Sequence, residues 1–274
     1  MTVGRASTVS LIWQQTRYQN KIFWRTSISA FFTIIFPLLI LVVFAAIFGS
    51  EEIEHLGVTV AQYYAPALAV FSAASATYTN IGVSTAFQRD QGILKRVRGT
   101  PLPPSIYLTG KIASATYIAA IAVVIMLTAG VLFYGVQIYA RTVPAAIITF
   151  LVGVGCFAAL GLVVAAFAPT GNAAVAIANS TLLPLAFFSG VFIPPSEELP
   201  RFVELIGDFF PLKHFNAAFQ AAFNPGLTGF QVQWGELAYM AVWGIVAALV
   251  ARQFFRWEPS RTVRTRRRRE EVPA

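Results

Sequence analysis

The chain has 274 residues, of which 57% are hydrophobic and only 12% charged, with a mean hydropathy of +0.66 and a formal net charge of +8. Soluble domains carry about a quarter charged residues, so a water-soluble globular fold is excluded and an integral membrane protein is implied. A single cysteine, Cys156 in an apolar run, leaves no intrachain disulfide and reads as a small core residue.

From the N-terminus, Leu11 to Arg25 carries Arg17, Lys21 and Arg25 at steps of four, Leu11, Tyr18 and Ile22 on another face, and Trp13 and Trp24 near its ends. This pattern predicts an amphipathic helix lying along the inner leaflet, with a plain extension of the first span as the alternative. Six runs then meet the length needed to cross a hydrocarbon core of about 30 Å. They are 26–48, 63–87, 112–134, 143–167, 173–193 and 237–255. Backbone groups in lipid pair within their own segment, so these are expected to be helices, and the fold class is an all-α integral membrane protein. The first run is too long to be a cleaved leader, and Ile47-Phe48-Gly49 makes a poor cleavage site. The chain divides into a six-span membrane domain, 1–258, and a basic tail, 259–274.

Lysine and arginine set the orientation. With the N-terminus inside, only Arg141, Arg201 and Lys213 fall outside, while most acids, from Glu51 to Glu236, lie there. Both termini are therefore expected in the cytoplasm of a multi-pass plasma-membrane protein.

The spans carry no charged residue in their apolar centres, which weighs against a proton- or sodium-coupled transporter. Their polar groups are Thr77, Tyr78, Thr79 and Asn80 in the second span and Asn179, Ser180 and Thr181 in the fifth. Two readings stand: these residues line a substrate path, or they supply hydrogen bonds between helices. Pro37 and Pro184 interrupt the first and fifth spans and are candidate hinges, with a static bend as the alternative.

Between spans five and six, Phe202, Leu205, Ile206, Phe209 and Phe210 recur with helical spacing, while Glu197, Glu198, Glu204 and Asp208 supply a polar side. A short extracellular helix is expected there, stopped by Pro211, with a second over 213–223, both dipping into the outer leaflet. His214 has no partner ligands nearby in sequence, so no metal site is expected. The tail RTVRTRRRREE reads as a topology anchor on anionic lipid, not as a nucleic-acid-binding element.

The loop FQRDQGILKRVRGTPLPP, Phe87 to Pro104, remains. Its middle suits a short helix with an apolar knob, Ile93, Leu94 and Val97, between basic groups; an interfacial turn on lipid phosphates is the alternative. Followed by Tyr107, Gly110 and Lys111, the loop resembles the signature of the ABC type-2 permeases, the membrane subunits of ATP-driven exporters. The matching positions are Phe87, Arg89, Gly92, Leu94, Lys95, Arg96, Arg98, Thr100, Pro101 and Leu102. Gln88 and Asp90 stand where that family tends to have glutamates, and Ile93 where it tends to have threonine. FFSGVFIPPSEELPRFVELIGDFFPLKHF after the fifth span supports the same resemblance, which covers about residues 10 to 256.

The resemblance implies a cytoplasmic coupling helix, with Arg89, Asp90, Gly92, Ile93, Leu94, Lys95, Arg96, Val97 and Arg98 joining the chain to a separate ABC ATPase subunit in two copies. It also implies a second permease copy, as a homodimer, and a path between the halves for a hydrophobic or amphipathic substrate such as a drug, lipid or glycolipid. The chain has no phosphate-binding loop, since Ser105 occupies the glycine position before Gly110-Lys111, so no cofactor is expected on it. ATP and Mg would sit on the partner. A non-transporting scaffold or sensor that recruits a soluble partner is the competing class.

Overall fold

The computed structural model describes residues 7–48, 51–54, 56–195, 200–227, 229–255 and 257–258. The basic tail from 259 and Glu197 and Glu198 of the external loop lie outside them.

Helix α1, Thr8–Arg25, starts at Ser7, whose Oγ accepts the Ser10 N–H at 3.2 Å. Trp13, Tyr18 and Trp24 are exposed, while Gln19 and Phe23 are buried. The apolar face expected around Tyr18 is thus displaced toward Gln19 and Phe23. The reason is tertiary: α1 packs on α7, Pro104–Tyr134, and Gly110 there lets Gln15 approach where a Cβ would lie 2.5 Å from its Cγ.

The first apolar run is built from α2, Ser27–Ala30, a π-helical turn at Phe31–Ile35, and α3, Phe36–Phe48. Phe36 N–H reaches back five residues to the Phe31 carbonyl. This wider turn precedes Pro37, which has no N–H to give and would crowd a regular turn. Between this run and the next lies an antiparallel hairpin, β1 Glu52–Ile53 with β2 Val58–Thr59, a small departure from the all-helical expectation.

The central element is the continuous helical path α4, Val60–Ala74, a π-helical turn, Ser75–Thr79, and α5, Asn80–Asp90. Every residue from Ala61 to Ala74 is buried. Its run of alanines and serines lets α3, α7, α8 (Val143–Phe167) and α11 (Pro211–Ala221) close around it. Enclosure by protein also explains its composition. Among the described residues, five helices are long and apolar enough to cross a membrane: Phe31–Phe48, Pro104–Tyr134, Val143–Phe167, Gly171–Phe188 and Trp234–Phe254. Val60–Asp90 is not one of them. It carries Pro66 in its interior, a breaker unmarked in the sequence reading.

Helix α6, Ile93–Arg98, follows the left-handed Gly92 (φ 72°), and α7 begins with Pro104 in its first turn. Helix α9, Gly171–Phe188, ends five residues short of the expected boundary because Ser189-Gly190 turns the chain, Gly190 having φ 72°. Helix α10, Arg201–Phe209, and α11 are the two expected short helices, and Pro211 opens the second. Helix α12, Trp234–Phe254, packs along α8, with Gly244 meeting the Cys156 backbone.

Candidate functional site

The last turn of α5 places two charged side chains, Arg89 and Asp90, against the corner between α8 and α9. Arg89 is 4% exposed. Its Nη1 donates to the Ala165 carbonyl at 2.6 Å, and its Nη2 donates to the Ala168 carbonyl. Both acceptors belong to the end of α8, where carbonyls lack helical partners and the helix dipole favours a cation. Asp90 does the reverse: its Oδ2 accepts the Gly171 N–H at 2.6 Å, at the first residue of α9. Asp90 Oδ1 also lies 3.9 Å from Arg89 Nε. Two consecutive residues thus cap the outgoing and incoming helices of one turn. The turn is closed by Phe87, whose ring occupies the space where a Gly171 Cβ would sit, 2.5 Å from Cδ1.

A second polar cluster lies one residue earlier. Gln88 Oε1 accepts from Tyr107 Oη and, at 2.6 Å, from Lys111 Nζ, while Gln88 Nε2 donates to Gln19 Oε1 at 3.3 Å. All four side chains are buried, tying α1, α5 and α7 together. Lys111, which follows the loop in sequence, is buried in α7 with its Nζ held by the Gln88 amide oxygen.

On α6 the outward surface is basic. Lys95, Arg96 and Arg98 are exposed, and Arg96 Nη2 lies 3.4 Å from the Gln91 carbonyl. Ile93 and Val97 are half-buried, and Leu94 is fully buried at 0% exposure. Leu94 is therefore no knob offered to a partner; α6 packs on α5, and Leu94 serves the chain's own interior.

The path candidates separate into three groups. Thr77 is fully buried, and its hydroxyl donates to the Ala73 carbonyl at 2.8 Å within its own helix. Tyr78 and Thr181 meet: their oxygens lie 2.6 Å apart, and Thr181 donates onward to the Ile177 carbonyl at 2.7 Å. Asn179 and Ser180 are exposed on α9 beside Ile177, Leu183 and Phe187, while Asn80 is half-buried and its carbonyl accepts from Ser84 at 2.5 Å. Of the two proline positions, Pro37 is buried and Pro184 exposed within a continuing helix.

Sequence reasoning missed the stitching at the opposite end of the bundle. Gln62 donates to the Gln137 carbonyl at 3.1 Å and the Phe223 carbonyl at 2.7 Å, and accepts the Gln137 N–H at 2.8 Å. His214 sits between the Glu236 carboxylate and the Asp208 carbonyl, with its ring over Tyr239. The only local signal was a glutamine at the edge of an apolar run.

Comparison with known proteins gives this arrangement its context. The "Putative transport permease YvfS" of Bacillus subtilis (strain 168) is 23% identical over 191 residues, covering 70% of this chain and 77% of that protein. The family model described as ABC-2 type transporter matches residues 10–224, a span that takes in α1, the central helix, the Arg89-Asp90 corner and α11. On that match, the chain belongs to the ABC-2 type transporter family of membrane transport permeases.

Proposed function

We propose that the chain is the membrane-spanning permease subunit of an ATP-driven exporter. Two copies assemble as a homodimer with two separate ABC ATPase subunits, which bind ATP and Mg and dock on α6. The cargo is a hydrophobic or amphipathic molecule, such as a drug, lipid or glycolipid, moved out of the cytoplasm. Its route runs between the two copies along the open face of α9, where Asn179 and Ser180 are presented among apolar side chains.

The observation that carries this reading is the pairing of an exposed basic face on α6 with a buried, ion-paired root beneath it. Lys95, Arg96 and Arg98 face outward from a helix whose base is fixed by Arg89, Asp90 and Leu94. A surface of fixed charges on a rigid mount suits recognition of an acidic groove, because such charges set specificity and association rate. Family membership supports the same reading, since ABC-2 permeases generally work with an ATPase subunit.

The deciding experiment is copurification of an ATPase from the native membrane, with substrate-stimulated hydrolysis in the reconstituted complex. Arg96→Ala is expected to weaken association at low salt, with the difference from wild type shrinking as salt screens the charge, while the permease remains folded and inserted. Leu94→Asp does not test docking, because it would place an unpaired charge inside the chain itself. If no ATPase copurifies with the wild type and Arg96→Ala changes nothing, the scaffold or sensor reading takes its place.

A further inference from the structure

We infer that Arg89 and Asp90 are positioning residues that lock the end of α5 to the α8–α9 corner, so that a displacement of α6 is delivered to α9 and not absorbed in the loop. The inference rests on the docking role proposed for α6 and adds what happens behind it.

The geometry leaves little slack. Only Gln91 and Gly92 separate Asp90 from the start of α6 at Ile93, and Leu94 is fully buried, so α6 is anchored to the body that carries Asp90. Arg89 then forks across two carbonyls at the end of α8, and Asp90 holds the first N–H of α9. Displacing α5 without the corner would strip a buried cation of its carbonyls and a carboxylate of its N–H donor. An uncompensated buried charge is strongly unfavourable, so α5 and the corner move together.

The connection is repeated within the bundle. Tyr78, in the π-helical turn before α5, meets Thr181 of α9 at 2.6 Å. Gly161 of α8 lets the Tyr78 carbonyl come within 2.7 Å of where its Cβ would lie, so the π-helical turn leading into α5 also presses on α8 by backbone contact. Helix α9 is thus held to α5 at its first residue and again about three turns along. Its opposite face, with Ser180, Leu183 and Phe187, is exposed and free to be moved against whatever borders it. Asp90 therefore acts through α9, without touching cargo or nucleotide.

The test uses the full permease–ATPase complex in nanodiscs, carrying Cys156→Ala with spin labels at Ser180→Cys on α9 and Val246→Cys on α12. Trapping with ATP, Mg and vanadate is expected to shift the label-to-label distance in the otherwise wild-type complex. With Asp90→Ala, the distance shift should disappear and stimulation by substrate should fall about tenfold, both read per copurified ATPase. Asp90→Glu keeps the carboxylate and should recover most of both signals. Should Asp90→Ala fail to fold, the isosteric Asp90→Asn against Asp90→Glu makes the same comparison. A full wild-type shift and stimulation in Asp90→Ala overturns the inference. Loss of ATPase binding in that variant also overturns it, because Asp90 would then be a docking residue. Absence of ATPase from the wild-type complex overturns the proposed function together with it.

Discussion

At the scale of single residues, the clearest departure from the family pattern is Gln88, which stands where a glutamate is usual. The structure shows what the exchange does: Lys111 Nζ, buried at 4% exposure, donates at 2.6 Å to an amide oxygen instead of a carboxylate. A hydrogen bond to a charged acceptor is roughly twice as strong as one to a neutral acceptor. Gln88→Glu keeps the shape and the Tyr107 contact, so it is expected to stabilise the α1–α5–α7 cluster by about 1–2 kcal/mol. Thermal unfolding of the purified permease would read this as a rise of about 2–4 °C per kcal/mol. Gln88→Leu should lower the midpoint, since it leaves Lys111 without an acceptor. A drop in midpoint for Gln88→Glu would mean that burial of the new carboxylate outweighs its pairing. The loop from Phe87 was visible in sequence as a motif, but the inward direction of Arg89, Asp90 and Leu94 was not. Side-chain direction there depends on the α8–α9 corner, about 80 residues further along the chain, which local periodicity cannot report.

At the scale of elements, long apolar helices were legible to within a few residues because lipid imposes both length and composition on them, except that α7 begins at Pro104, eight residues before the apolar run expected from 112. The second run was legible by length alone. Its alanines, serines and tyrosines answer to neighbouring helices and not to lipid, and so its hydropathy is unlike the other five. The short helix α10 was legible from its periodicity, and the structure leaves its apolar stripe uncovered: Phe202, Leu205 and Phe209 are each 58–60% exposed, while Gly207 presses against the Phe188 carbonyl on the other side. Phe209 is also held from behind, edge-on to Trp243 at 5.4 Å, with Tyr239 Oη bonded to its carbonyl at 2.9 Å. Such a stripe is stable beside acyl chains and costly in water. Leu205→Asp and Phe209→Asp should therefore reduce properly inserted, folded permease, whereas Glu204→Gln on the polar side should leave it unchanged. Quantifying detergent-extracted, monodisperse protein from membranes checks this. Equal yields for all three variants would place α10 in water.

At the scale of the whole molecule, the remaining question is whether the central helix also crosses the bilayer. Val60–Asp90 is continuous through its π-helical turn, and at 1.5 Å per residue it is about 45 Å long, more than the ~30 Å hydrocarbon core requires. Its ends differ in kind. The hairpin at one end carries Glu51, Glu52 and Glu54, whereas the other end opens into the basic α6. On the positive-inside rule the α6 end is expected in the cytoplasm and the hairpin outside. With six crossings the hairpin and α6 face opposite compartments; with five, excluding the central helix, they share one. In a Cys156→Ala background, Gln91→Cys should react with a membrane-impermeant maleimide only from the cytoplasmic side, and Glu52→Cys only from outside. Both positions are exposed in the structure, so access does not limit the reaction. Labelling of both from one side would remove the central helix from the membrane-crossing set and, with it, the proposed position of α6 beside a cytoplasmic ATPase. Labelling from opposite sides would leave a buried helix of ordinary, half-polar composition carrying the chain across the membrane, its backbone enclosed by α3, α7, α8, α9 and α11.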